Sequence, residues 1–288
     1  MNAATVIAPA TTVGAVHLTV GDVERSIAFY DTTLGLSVLD RGTGRVSLGA
    51  DDELLVLYEQ PGARPAHGYT GLFHYALLVP DRRSLAAWLA LALRERVPLQ
   101  GLSDHYVSEA IYLADPDGHG IEIYCDRPRE VWEGQVWERL TTFPLDVDDL
   151  LSEVDDAGTP FEGLPAATRM GHVHLRVADV PETVAFYRDV LGFELTAQLG
   201  SQAAFFAAGG YHHHVGANTW QSAGAPPPPP GHAALRHATI ILPDAAERDR
   251  LTARVSAAGR DPEQHGDALL VRDPSGNALV LKAGIAAT

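Results

Sequence analysis

Short apolar runs separated by one helical pattern recur along the chain, and the first copy shows the plan. Residues 13–20 alternate apolar with small or polar side chains, as a half-buried strand does. Asp22 predicts a helix cap and Gly35 a helix end. The apolar residues between them have helical spacing: Val23, Ile27, Tyr30 and Leu34. Three further apolar runs complete a βαβββ module: 36–39, 46–48 and 54–58.

The same plan returns three times. In the second copy a strand over 72–79 precedes a helix that Asp81 caps, and a loop over 101–108 leads to a hairpin over 111–124. Residues 173–180 (VHLRVADV) repeat residues 16–23 (VHLTVGDV) and open the third copy, and residues 236–244 echo 73–81 and open the fourth. The chain is therefore predicted to be an internal duplication of the α+β class.

The repeats also predict domain boundaries. Residues 1–12 form a tail, and residues 127–168, which include an acidic stretch with a helix over 150–156, form a connector. The remaining segments are an N-terminal domain over 13–126 (modules 13–60 and 71–126) and a C-terminal domain over 169–284 (modules 169–220 and 233–284). The five consecutive prolines in 224–231 predict a surface loop.

The hairpin at 111–124 contains the first candidate for chemistry. Its turn, Asp-Pro-Asp-Gly, suits Pro at one corner and Gly at the other. Alternation in the second strand places Glu122 on the face opposite Ile121 and Ile123. An acidic residue in such a pattern can simply face solvent. His119, at the turn, is expected to be exposed, and Cys125 to pack.

Composition narrows the range of partners. The chain is 46% hydrophobic and 20% charged, so most of it is expected to fold. Its formal net charge of -16, without a basic block, argues against nucleic-acid and anionic-membrane partners. One cysteine excludes an internal disulfide framework. Without a long apolar run or a leader pattern, we expect a cytoplasmic protein.

Four such modules, with histidines on the opening strands and an Asp-Pro-x-Gly hairpin leading to Glu122, resemble the vicinal oxygen chelate superfamily. More narrowly, residues 13–282 resemble the two-domain extradiol ring-cleavage dioxygenases of the catechol 2,3-dioxygenase type. The resemblance implies an α+β fold in which the four βαβββ modules form two half-open mixed β-barrels with helices outside.

The resemblance places metal-ligating histidines seven residues before each helix-capping Asp. That register holds His74, His172 and His237 in the last three modules and Ala15 in the first. The carboxylate position holds Glu122 in the second module and Val280 in the fourth.

The module pairing follows from which sets are complete. His74, Glu122 and His172 form a full set only if module two pairs with module three, which leaves one to pair with four. The barrel from modules one and four would then be a scaffold or a dimer contact. The better-known extradiol enzymes would instead imply sequential pairing, and His17 would then have to replace the missing ligand from two residues along.

Two neutral imidazoles and one carboxylate form the facial triad of non-haem Fe(II) oxygenases. Mn(II) would suit the same ligands, whereas Zn(II) would sooner suggest hydrolysis or isomerisation. A single strand histidine is more often packed or exposed than a ligand. The joint spacing of the three residues favours the metal hypothesis.

The resemblance also implies residues beside the metal. An acid/base histidine belongs on the last strand of module three, where His214 matches best, and His212 and Asn218 on the same face would contact substrate. His213, on the opposite face, is expected to be structural. The three-histidine run is also compatible with an adventitious metal-binding patch.

The resemblance implies two further polar groups near the substrate. Tyr112, ten residues before Glu122, would hydrogen-bond the substrate oxygen, although it could also simply pack on the barrel. His105, in the preceding loop, would add a second polar group at the pocket mouth.

The resulting hypothesis is an Fe(II)-dependent extradiol dioxygenase that opens a catecholic ring with O₂, with a small aromatic diol as substrate and homo-oligomer formation left open. One alternative is another metal-dependent reaction of the superfamily, such as a glyoxalase-like isomerase or lyase. The other is a non-catalytic protein that binds an aromatic ligand and confers resistance.

Overall fold

Two mixed β-sheets carry the four modules in the computed structural model, which describes residues 6–154 and 161–284. In chain order the strands are β1 (Thr12–Val20), β2 (Ser37–Gly42), β3 (Arg45–Gly49), β4 (Glu53–Glu59), β5 (Arg64–Pro65), β6 (Gly71–Leu78), β7 (Gly101–Asp104), β8 (Ser108–Ala114), β9 (Gly120–Asp126), β10 (Phe143–Pro144), β11 (Arg169–Arg176), β12 (Glu194–Leu199), β13 (Ala203–Ala207), β14 (Val215–Asn218), β15 (His232–Ala233), β16 (Leu235–Leu242), β17 (Glu263–His265), β18 (Ala268–Arg272) and β19 (Ala278–Ala283). The helices are α1 (Val23–Phe29), α2 (Arg82–Arg94), α3 (Arg129–Trp132), α4 (Val136–Arg139), α5 (Val147–Leu151), α6 (Val180–Val184) and α7 (Ala245–Ala257).

Each sheet combines one module from the N-terminal half of the chain with one module from the C-terminal half. Modules one and four form one sheet, in the order β17-β18-β19-β16-β1-β4-β3-β2. Modules two and three form the other, in the order β10-β7-β8-β9-β6-β11-β14-β13-β12. This confirms the two-plus-three and one-plus-four pairing predicted from the ligand register. The predicted boundaries of two consecutive domains stay a prediction.

The opening strands of paired modules meet at the centre of each sheet. β6 pairs antiparallel with β11, so that His174 lies opposite His74. β1 pairs antiparallel with β16, so that His17 lies opposite His237. The repeated sequence therefore forms two equivalent central strand pairs, β1 with β16 and β6 with β11, each of which is called a seam. The seam of modules two and three carries the candidate metal ligands.

Each module places its helix as the caps predict. In every copy the capping Asp side chain accepts a hydrogen bond from the amide three residues ahead: Asp22, Asp81, Asp179 and Asp244. Helices α1 and α6 continue into π-helical turns over Tyr30–Leu34 and Ala185–Leu191. Gly35 and Gly192 end these turns at φ values of 82° and 85°, which side chains rarely adopt.

The hydrophobic core lies on the helix side of the sheets. Val16 and Leu18 of β1 and Val173 and Leu175 of β11 are fully buried in the same apolar cluster. Because side chains alternate along a strand, the histidines between them face the other side. Cys125 is buried as predicted.

Some local expectations need correction. His119 is only 5% exposed and its Nε2 atom lies 3.0 Å from the Thr19 carbonyl oxygen, so its predicted exposure is wrong. The loop predicted over 101–108 begins with strand β7.

The connector also differs from its prediction. It contains α3, α4 and β10, and its helix α5 begins and ends earlier than the predicted 150–156. The end of that predicted helix, Asp155 and Asp156, and residues 1–5 of the tail lie outside the described residues. Within the described part of the chain, no helix combines the length and apolarity needed to cross a bilayer.

Candidate active site

Three predicted ligands meet on the seam of modules two and three. The Nε2 atoms of His74 and His172 lie 3.0 and 3.2 Å from Oε2 of Glu122. The ligand atoms of the three side chains all fall within 4.8 Å of one another, and all three side chains are buried. β6 supplies His74, its parallel neighbour β9 supplies Glu122, and its antiparallel neighbour β11 supplies His172.

The protonation of this cluster suits metal binding. Burial lowers the pKa of His172 and favours a neutral imidazole. Burial alone would raise the pKa of Glu122, but His172 and His74 outweigh it and hold that pKa well below its ordinary value. A carboxylate and neutral imidazoles are the forms in which these groups ligate metal ions.

The hydrogen bonding leaves room for an ion. His74 Nε2 is buried and, despite its proximity to Glu122, makes no hydrogen bond with good geometry. An unsatisfied buried nitrogen is costly, and a cation between the two Nε2 atoms and Oε2 would satisfy all three. The residues therefore fit a divalent metal with nitrogen and oxygen preference.

Tyr112 and His105 lie next to this cluster, and the roles that the resemblance implies for them stay predictions. Tyr112 is directly opposite Glu122 in the β8–β9 register, and its hydroxyl lies 2.7 Å from His105 Nε2. His105 Nδ1 lies 2.8 Å from the Thr141 carbonyl oxygen. Burial, then Glu122, raises the pKa of Tyr112 well above its ordinary value, so the phenol stays protonated.

These contacts fix the direction of the hydrogen bonds. The Thr141 carbonyl can only accept, so His105 Nδ1 carries the proton and a neutral His105 must accept at Nε2. Tyr112 therefore donates to His105, and its oxygen is left with acceptor capacity toward the cavity.

In the three-histidine run, the prediction that His212 and His214 face the site and His213 faces away from it is wrong. His213 lines the cavity and packs its ring 4.1 Å from the ring of His172. His214 Nδ1 instead accepts the Ala208 amide, and neither His214 nor His212 is among the lining residues. The reason is local: β14 begins only at Val215, so strand alternation does not extend back over the histidines.

Asn218, the other residue predicted to contact substrate, lies in β14 and is fully buried. Its Oδ1 atom accepts the Trp220 amide, and it does not line the cavity.

His213 is linked to residues that sequence patterns did not indicate. Its Nδ1 lies 2.8 Å from His212 Nδ1, and His212 Nε2 lies 2.8 Å from Asp126 Oδ1. Tyr211 donates to both Asp126 oxygens, at 3.2 and 2.9 Å, and its oxygen lies 2.8 Å from the Tyr124 hydroxyl. Burial holds the pKa of His213 well below its ordinary value.

The cluster opens into a cavity of about 480 Å³. Its apolar wall comes from both modules and the connector: Phe73, Val107, Leu113, Trp137, Leu199 and Trp220. Among the described residues that line it, none is Arg or Lys, and Glu122 is the one acidic residue. His174, also in the wall, has a buried Nε2 without a hydrogen bond and is a site residue that the ligand register missed. Such an enclosure suits a small, neutral, largely apolar molecule.

Comparison with known proteins agrees with this architecture. The family model described as Glyoxalase/Bleomycin resistance protein/Dioxygenase superfamily matches residues 12–123 and 169–281. The protein named Catechol-2,3-dioxygenase of Bacillus subtilis (strain 168) is 41% identical over 279 residues, which cover 94% of this chain and 96% of that protein.

Solved structures share the fold at lower identity. A candidate dioxygenase from Bacillus subtilis superimposes with a TM-score of 0.67 at 15% identity, over 96% of this chain and 86% of its own. Glyoxalase I from Zea mays superimposes with a TM-score of 0.57 at 16% identity, over 94% of this chain and 92% of its own. Two duplicated module pairs, the family match and the near full-length relative lead to one conclusion: this chain belongs to the glyoxalase/bleomycin resistance protein/dioxygenase superfamily.

Proposed function

We propose that this protein is an Fe(II)-dependent extradiol dioxygenase that opens a catecholic ring with O₂. The observation that carries the proposal is the buried cluster of His74, Glu122 and His172, which lines a cavity with no Arg or Lys among its described lining residues. The catechol-2,3-dioxygenase relative, similar over nearly the whole chain, supports the reaction class.

His74, His172 and Glu122 would hold the metal, with Mn(II) as the alternative ion. When bound, Fe(II) would supply positions for the catechol oxygens and O₂ and the electrons that O₂ activation needs. The protein positions the substrate, excludes water and accepts protons, which are the tasks of the neighbouring side chains.

Tyr112 is the residue proposed to orient the diol. Because its own proton is committed to His105, its oxygen accepts a hydrogen bond from a substrate hydroxyl. His105 is thus a positioning residue, since it sets which partner Tyr112 can take. Both residues lie on the wall near Glu122, where a ligand of the metal would be.

His213, rather than His214, is proposed as the acid/base group. It is the member of the three-histidine run that lines the cavity, and its Nε2 is the nitrogen not engaged by His212. A neutral imidazole can accept a phenolic proton and return it to the product.

The test is anaerobic reconstitution with Fe(II), followed by catechol in air. Oxygen uptake and the yellow absorbance of a ring-opened semialdehyde are recorded together. Extradiol cleavage incorporates both oxygen atoms into the product, so we expect one O₂ consumed per semialdehyde formed.

A matched pair of variants sharpens this test. His74→Gln should lose both stoichiometric iron and turnover, because it removes one of three ligands. His237→Gln makes the same change at the equivalent position of the other seam and should keep both. Tight iron without oxygen uptake on any catechol would reject the dioxygenase proposal in favour of a non-oxidative reaction of the superfamily.

A further inference from the structure

We infer that Asp126 and His212 set the tautomer of His213, so that His213 presents an unprotonated Nε2 to the cavity. The inference rests on the proposed function for its catalytic consequence but not for its structural content. Its basis is an unbroken chain of short contacts from Asp126 Oδ1 through His212 to His213.

Each link leaves one assignment of protons. The Asp126 carboxylate can only accept, so His212 Nε2 carries a proton and donates it. A neutral His212 then has a bare Nδ1. The 2.8 Å contact between the two Nδ1 atoms needs one proton, which must come from His213. His213 is left with a lone pair at Nε2, the nitrogen that is free to meet a substrate hydroxyl.

The opposite assignment would need a cationic His212 that donates from both nitrogens. The Asp126 carboxylate would have to balance that charge, yet the Tyr211 hydroxyl already donates to both of its oxygens. The Tyr211 oxygen also lies 2.8 Å from the Tyr124 hydroxyl, so Tyr211 as well as His212 holds the Asp126 carboxylate in place.

Asp126 is therefore a positioning residue. It does not line the cavity, and it acts through His212. The arrangement gives the protein a proton acceptor whose orientation is fixed before substrate arrives, which is the advantage that outer partners give to reacting groups.

The direct test is nitrogen NMR of the full-length protein labelled with ¹⁵N-histidine, both metal-free and loaded with diamagnetic Zn(II). The His213 resonances are assigned by their absence from a His213→Gln sample. Imidazole nitrogens with and without a proton have distinct shifts, so we expect His213 to be protonated at Nδ1 and bare at Nε2. A dominant Nε2–H form of His213 would overturn the inference.

The variant Asp126→Leu tests the cause. It should convert His213 to a mixture of tautomers and lower kcat roughly tenfold to a hundredfold, while KM for catechol changes by less than about threefold. Asp149→Leu is the control for loss of an acidic residue, since Asp149 is exposed and pairs with Arg82. It should leave the His213 resonances and kcat unchanged.

The two proposals fail separately. If Asp126→Leu folds and keeps the wild-type His213 tautomer, Asp126 does not set it. If Asp126→Leu does not fold, the wild-type spectrum alone decides the tautomer. An inactive protein with the expected tautomer would reject the proposed reaction and leave the hydrogen-bond assignment standing.

Discussion

Tyr30 donates a hydrogen bond of 2.8 Å to Oδ2 of Asp115, and this bond joins two modules that lie in different sheets. Oδ1 of the same carboxylate accepts the amides of Asp117 and His119. Asp115 therefore closes the predicted turn and also docks it on the helix of the preceding module. Tyr187 and Asp273 repeat the contact between modules three and four at 3.4 Å. Modules one and two, and likewise modules three and four, are thus linked from one sheet to the other.

Tyr30→Phe should lower the free energy of unfolding by about 1–2 kcal/mol, because it leaves a buried carboxylate oxygen without its donor. Urea unfolding measures the change. Tyr187→Phe is the matched variant and should cost less, since its hydrogen bond is longer. A larger loss from Tyr187→Phe would show that the contact to Asp115 is not the stronger link.

Sequence repetition was sufficient to predict the modules, whereas their pairing was predicted from the ligand positions that the family resemblance implies. The opening strand of each module keeps its predicted register because it buries its apolar face. A shift by one residue would instead turn the face that carries the histidines toward the core. In that implied register Ala15 stands where a ligand is missing, which predicted that modules two and three share one sheet, as the structure shows. The meeting of His74, Glu122 and His172 follows from the same register.

The rest of the site lies on irregular backbone, where no strand or helix periodicity in the sequence indicates which way a side chain points. His213 was assigned to the wrong side because the chain before β14 is irregular, and strand alternation does not apply there. Trp137, from the connector, reaches the cavity only through tertiary packing. Asp126 lies at the end of β9 and is far from His212 in sequence, so no local spacing indicates their contact.

Gly171→Ala should impair both stability and iron retention. A Cβ at this position would lie 1.8 Å from the Tyr124 hydroxyl oxygen, and Tyr124 is fully buried. Neither β11 nor the ring can yield without moving the adjacent His172, so we expect a loss of about 1–3 kcal/mol in unfolding free energy and less than stoichiometric iron.

The duplication provides the control. Gly14 occupies the equivalent position in β1, where a Cβ would meet the tip of the flexible Ile241 side chain at 2.8 Å. Gly14→Ala should therefore be milder and keep full iron, which metal analysis after gel filtration will measure. Equal iron loss in both variants would contradict a local effect on His172.

The cavity should select neutral catechols. None of its described lining residues is Arg or Lys, so a carboxylate on the substrate would lose its hydration without gaining a cationic partner. We expect kcat/KM for 4-methylcatechol to exceed that for 3,4-dihydroxybenzoate by roughly 100-fold, or about 3 kcal/mol. Leu199→Arg, at the half-exposed rim, should narrow this ratio by supplying the missing cation. Comparable steady-state values for both substrates in the wild type would show that charge does not control selection.

The histidine pair of the other seam should make the protein less stable in mild acid. Burial, then the neighbouring His17, lowers the pKa of His237 to about 3, and burial likewise lowers the pKa of His17 to about 4. Below the unfolded pKa of 6.5, the unfolded chain binds protons that the folded protein does not, so stability is fully present above pH 6.5 and falls as the pH drops toward 3–4.

Urea unfolding between about pH 6 and pH 4.5 measures how steeply the free energy of unfolding falls with pH, and His237→Gln should reduce this slope by about 1 kcal/mol per pH unit. His67→Gln removes an exposed imidazole instead and should leave the slope unchanged. An unaltered slope in His237→Gln would mean that His237 takes up its proton in the folded state. The stacked pair of His17 and His237, with ring centroids 3.9 Å apart, would then tolerate the charge.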